Sequence, residues 1–157
     1  MERTTRKPLV YAVSVAIALA VGGLSVWANA GKFESPAAIS PPLTPPAWVF
    51  PVVWTILFVL MGFSAAQVYL RAAPGSGDAL FVYATQLVVN FLWTVFYFHF
   101  GSLPLSFFWL LFLLALVALM VVRFERCSPG AGKLQIPYLL WLVFAAYLNL
   151  AGWILNS

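Results

Sequence analysis

The residues of this chain that could do chemistry are few and uncharged. Gln86, Asn90, Trp93 and Tyr97 recur at i, i+4, i+7 and i+11, which puts two amides and two aromatics with polar edges on one helix face. Pro51, Trp54, Phe58 and Met61 form a similar stripe upstream, and Tyr138, Trp141, Ala145 and Asn149 form one downstream. Flat aromatic walls supply contact area and sparse amide or indole groups fix orientation, a combination suited to a large, planar, mostly apolar ligand. Two structural readings compete. Gln86 and Asn90 could simply bridge neighbouring helices, as polar residues in membrane bundles often do. Tryptophans are commonly interface anchors, which fits Trp27, Trp48 and Trp153 near the ends of apolar runs better than Trp54, Trp93 and Trp141.

Other chemistries find no support. The four acids, Glu2, Glu34, Asp78 and Glu125, fall in the polar lead or in loops. That argues against a proton relay, a voltage sensor or an ion-coupled pump, all of which place charge at membrane depth. His99 ends an apolar run beside Gly101, where an interfacial position accounts for it without catalysis. One Cys, Cys127, and one His offer neither an internal disulfide nor a metal cluster. No cofactor is required by these residues, and no nucleic-acid partner is expected.

The elements that must position the stripes are membrane helices. The chain has 157 residues, 64% hydrophobic and 8% charged, a balance that a soluble domain of this size could not carry. The fold class is therefore an all-α integral membrane bundle, a single domain over residues 1–157 embedded in a lipid bilayer. Helices are predicted at about 9–28, 45–70, 79–100, 105–124 and 134–155. The first run is too long for the apolar part of a signal peptide and reads as retained. Its small residues Ser14, Ala18, Gly22 and Ser25 share a face suited to close packing within the chain in preference to a dimer seam. The connection 29–44, with Pro36, Pro41 and Pro42, reads as a lid, and Pro51 should bend or loosen the mouth of the second helix. The fourth helix, nearly all Leu, Phe, Val and Ala, should have the most lipid contact.

Three stretches in order, PPAWVFPVVWTILFVLMG, QLVVNFLWTVFYF and PYLLWLVFAAYLN, resemble the signatures of the tryptophan-rich sensory protein and translocator protein family, also called the peripheral benzodiazepine receptor family. The resemblance covers most of the chain. It implies a five-helix bundle, often a homodimer, that binds porphyrins such as protoporphyrin IX and haem, and benzodiazepine-type or isoquinoline ligands, under the first loop. By motif position Trp54, Asn90 and Trp141 are similar to ligand-contacting residues. Ala145 and Ala146 match a segment where side-chain size affects sterol or ligand binding. Some bacterial members promote light-dependent porphyrin breakdown, implicating the positions of Trp54 and Trp141. Phe58 stands where the signature usually has Tyr. No Arg or Lys follows Tyr147, so the cholesterol-recognition pattern of the animal proteins is incomplete. A bacterial cell membrane is the expected location.

Three functions follow as expectations: a porphyrin-binding receptor or transporter with a sensing role, a photo-oxidative enzyme, or a scaffold acting through a partner protein. Of the Lys and Arg residues, seven (Arg3, Arg6, Lys7, Arg71, Arg123, Arg126, Lys133) fall on the N-terminal side of the predicted bundle and only Lys32 on the other. The positive-inside rule then places the N-terminus in the cytoplasm and the C-terminus across the membrane. Reporter fusions should show a cytoplasmic N-terminal and an external C-terminal tag; the reverse pattern would overturn this topology.

Overall fold

The computed structural model describes residues 2–157, with side chains from residue 6 onward. Five helices follow in order: α1 Glu2–Ala28, α2 Val49–Arg71, α3 Ser76–Thr94, α4 Leu103–Cys127 and α5 Ile136–Leu155. A π-helical turn, Val95–His99, prolongs α3, and a 3-10 turn, Lys133–Gln135, leads into α5. All five helices are long and apolar enough to cross a membrane.

The boundaries differ from the sequence expectation for local reasons. The lead is drawn into α1, which begins at Glu2 and not near residue 9, because Arg, Lys and Glu are good helix formers. A residue before proline avoids the helical region, so Pro45 and Pro46 delay α2. The chain there makes a turn, with Val49 N–H donating to the Pro46 carbonyl at 3.0 Å, before the helix starts. Pro51 consequently falls in the first turn, where its missing N–H has no intrahelical partner to lose. At the far end Ala72 (φ 47°) and Gly75 (φ 84°) take left-handed conformations, closing a tight corner that starts α3 at Ser76.

Helices α1 and α2 pack closely. Ser14 Oγ donates to the Gly62 carbonyl at 2.7 Å. Gly62 itself lies on the α1 backbone, where a Cβ would overlap the Val15 Cα. Gly22 receives the edge of Phe58, whose Cε2 lies 2.8 Å from the point a Cβ would occupy. The small-residue face of α1 is thus covered by α2, as the sequence suggested. At the α4–α5 corner, Ser64 Oγ donates to the Ala131 carbonyl at 2.6 Å and Gln135 Nε2 to the Leu60 carbonyl at 3.0 Å. Indole N–H of Trp109 on α4 donates to the Val89 carbonyl of α3 at 2.8 Å.

One expectation is corrected. The helix least buried within the chain, and so the one offering most surface to lipid, is α1, only 11% of whose span is buried, against 28% for α4. Leu110, Leu113, Val117, Met120 and Phe124 of α4 are fully buried in the core. A helix apolar on every side carries no periodic signal of which face is inside, so composition alone could not reveal that one.

Gly62→Ala should destabilise the bundle by about 1–3 kcal/mol, because the added methyl meets backbone that cannot yield. Gly23→Ala, which meets open space, should leave the thermal midpoint in detergent unchanged or slightly raised. Equal midpoints for the two variants would contradict this account of the seam.

Candidate functional site

The interior of the bundle holds one continuous polar chain. The Tyr138 hydroxyl of α5 accepts from Asn90 Nδ2 at 2.7 Å and donates to Gln86 Oε1 at 2.9 Å. Gln86 Nε2 in turn points at the Met61 sulfur of α2, 3.7 Å away. Tyr138 and Gln86 are fully buried and Asn90 almost so. The reason lies in the solvent: an amide in hydrocarbon must find partners inside the protein. Since Gln86 and Asn90 are one turn apart on α3, a single phenol can bridge both.

Aromatic rings enclose this chain. Trp54 lies 5.8 Å from Phe58, 6.3 Å from Trp93 and 6.1 Å edge-on from Tyr138, measured between ring centroids. It therefore joins α2, α3 and α5. Trp93 stacks on Tyr97 at 5.4 Å and meets Phe98 edge-on at 6.5 Å. The π-helical turn, marked by the Phe100 N–H donating to the Val95 carbonyl at 3.0 Å, ends α3 with a widened coil, as π-turns at functional sites often do. Both Tyr97 and Phe98 thereby reach Trp93. The indole N–H of Trp93 is buried without a hydrogen-bond partner, and so is that of Trp141.

The segment between α1 and α2 crosses this end of the bundle and is tied on both sides. Toward α3, Asn29 Nδ2 donates to Thr94 Oγ1 at 3.1 Å, Ser35 Oγ lies 3.2 Å from the Tyr97 hydroxyl, and Phe33 packs 5.3 Å from Phe98. Toward α5, the Tyr147 hydroxyl donates to the Pro42 carbonyl at 3.0 Å, and the Asn156 amide pairs with both backbone groups of Ile39 at 2.8 and 3.1 Å.

The three stripes read from sequence do not all converge. Trp54, Phe58, Gln86, Asn90, Trp93, Tyr97 and Tyr138 form one connected group. Trp141 stands apart, against Phe50 at 5.8 Å and Phe144 at 5.6 Å, on the wall of an apolar groove of about 360 Å³ between α2 and α5. Ala145 and Ala146 are half-buried against the core. Asn149 faces away from the aromatic group and donates from Nδ2 to Ser106 Oγ of α4 at 2.9 Å, with its Oδ1 unpartnered. Contacts that escaped the sequence reading include Phe33, Ser35, Phe50, Phe98 and Phe144. Phe50 and Phe98 sit inside quoted motifs, PAWVFP and FYF, but no periodicity singled them out.

A bundle of five apolar helices around a buried amide–phenol chain, boxed by indoles and roofed by a tethered loop, defines a multi-pass membrane protein with an internal aromatic site. The match to the TspO/MBR family model spans residues 11–154, and the chain belongs to that family. It is similar to the tryptophan-rich protein TspO of Chlorobaculum tepidum, 33% identical over 90% of this chain and 92% of that one. The tryptophan-rich sensory protein of Cereibacter sphaeroides is 38% identical over 71% of this chain and 70% of its own length. The translocator protein of Ovis aries is 33% identical, with 72% and 69% covered. The family is one of membrane sensory and translocator proteins.

Tyr138→Phe keeps the ring and removes the bridge, leaving Gln86 Oε1 and Asn90 Nδ2 without that partner in the interior. It should cost about 1–2 kcal/mol in denaturant unfolding from micelles. Asn149→Ala, outside the chain, should not add to that loss when the two are combined beyond simple additivity.

Proposed function

We propose that this protein is a membrane receptor or transporter-like protein for porphyrins, protoporphyrin IX and haem among them, and for other planar apolar molecules. The observation that supports the reading best is the box of Trp54, Phe58, Trp93 and Tyr97 around Asn90, Gln86 and Tyr138, with the Trp93 N–H lacking a partner. Ring faces stack on a macrocycle, while a spare indole donor and a displaceable amide meet its carboxylate edge. On this reading Gln86 and Asn90 exchange their bond to Tyr138 for bonds to ligand. Trp141 and Phe144 admit the ligand's apolar rim, and Ala145 and Ala146 set the room beside it. The loop 29–48 acts as the lid, its release requiring the Ser35–Tyr97 and Ile39–Asn156 contacts to part. A homodimer would use a face other than the small-residue stripe of α1, which α2 already covers.

A second reading, light-driven porphyrin breakdown through the indoles of Trp54 and Trp141, draws on Trp54 in the aromatic group, 6.3 Å from Trp93, and on Trp141 at the adjoining groove. It requires molecular oxygen as the oxidant, since opening the macrocycle is an oxidation and aromatic side chains are not a stoichiometric electron acceptor.

Quenching of tryptophan fluorescence by protoporphyrin IX should saturate in the wild-type protein. Trp54→Leu should weaken binding roughly tenfold, the worth of one or two lost aromatic pairs. Trp109→Phe, outside the box, should leave the affinity as it is. Unchanged affinity in a folded Trp54→Leu variant would sink the site. Illumination of the complex in air separates the two readings: product beyond the bleaching of free porphyrin supports the enzyme, and its absence leaves a binder.

A further inference from the structure

A second groove lies away from the aromatic site, in the crease where α1 meets α2 and α3, with a volume of about 390 Å³. Ala66 and Tyr69 of α2 form one wall, Tyr83 of α3 contributes to the lining, and Leu9, Val13 and Ile17 of α1 form the other wall. Leu9 is 63% exposed, so this wall faces the membrane and not the core. From Leu9 to Ile17 a helix rises about 12 Å, close to the roughly 15 Å of hydrocarbon in one leaflet. The groove thus has the length of one leaflet's acyl chain and an apolar surface to match.

What distinguishes it from an ordinary lipid-facing crease is its rim. Arg6 and Lys7 precede Leu9 within one turn, and Arg71 follows Tyr69 by two residues. The helices are antiparallel, and the Ser14–Gly62 bond and the Tyr11–Phe63 ring contact at 4.6 Å set their register. That register brings Arg6 and Lys7 level with the last turn of α2, beside Arg71. All three are exposed; the acids nearest them in the chain are Glu2, about one turn before Arg6, and Asp78, in the first turn of α3. In the sequence Arg3, Arg6, Lys7 and Arg71 outnumber Glu2 and Asp78 at this end, and a net positive charge above a channel for one chain selects an anionic lipid over a zwitterionic one.

We infer that this groove is a binding site for an anionic phospholipid, one acyl chain lying between α1, α2 and α3 and its phosphate held by Arg6, Lys7 and Arg71. Each basic residue near a headgroup is worth about fivefold in affinity. Native mass spectra of the detergent-purified full chain test it, with dioleoyl phosphatidylglycerol and dioleoyl phosphatidylcholine offered at equal concentration. The wild-type protein should retain one phosphatidylglycerol in preference to phosphatidylcholine by about tenfold or more. Glycerol 3-phosphate, the headgroup chemistry without the chain, should not be retained. The triple variant Arg6→Gln, Lys7→Gln, Arg71→Gln should lose the preference, and Val13→Trp, which fills the groove from its exposed wall, should lose the retained lipid. Circular dichroism confirms that each variant is folded. Equal retention of the two lipids by the wild type, or a preference that survives the triple variant, would overturn the site.

Discussion

The hydroxyl of Tyr138 is the interaction on which the interior depends. In hydrocarbon no water competes for Gln86 and Asn90, so these amides either find partners within the bundle or exclude themselves from it. One phenol on α5 satisfies both at 2.7 and 2.9 Å and thereby fixes the rotation of α3 against α5. Trp54 then has a defined surface to lie on, edge-on to Tyr138 and beside Trp93. The polar chain sets the register, and the aromatic box is built around it.

The helices around that centre are held by two different kinds of contact. Between α1 and α2 the backbones touch, with Gly62 against Val15 and Ser14 bonded across, and such a seam cannot open without losing close packing. Between α2 and α5 the named contacts run through side chains, Trp54 to Tyr138 and Phe50 to Trp141, with Gln135 of the preceding 3-10 turn reaching the Leu60 carbonyl, and an apolar groove lies alongside. Rotamers move more readily than backbones, so the aromatic group adjoins the more adaptable seam. Apart from the buried Asn29, the loop above it is held by a handful of exposed hydrogen bonds, which water can replace.

The helices themselves were legible from composition and punctuation. Long apolar runs bounded by Pro, Gly and basic residues admit only membrane helices, and the five predicted runs match the five observed to within a few residues at most ends. Only the start of α1 lies well before its apolar run, because Arg, Lys and Glu continue a helix readily beyond the hydrophobic segment. Of the site, the grouping of Gln86, Asn90, Trp93 and Tyr97 was visible because an amide pair in an apolar helix has one sensible direction. Asn149 obeyed the same rule yet turned to Ser106 of α4, because a helix between two neighbours has two inward faces and the periodicity does not choose. Phe33 and Ser35 were illegible, since a loop has no period.

The sequence by itself determined that this protein is a membrane bundle, which residues of it dislike lipid, and the family to which its three motifs point. Those follow from transfer energetics and spacing along single helices, which are properties of one segment at a time. Only the tertiary structure decided that Tyr138 bridges Gln86 and Asn90, that Trp141 stands at a groove apart from Trp54, and that α1 and not α4 is the least buried helix. Each of these is a relation between segments distant in the chain, fixed by where backbones approach and which polar atoms find one another.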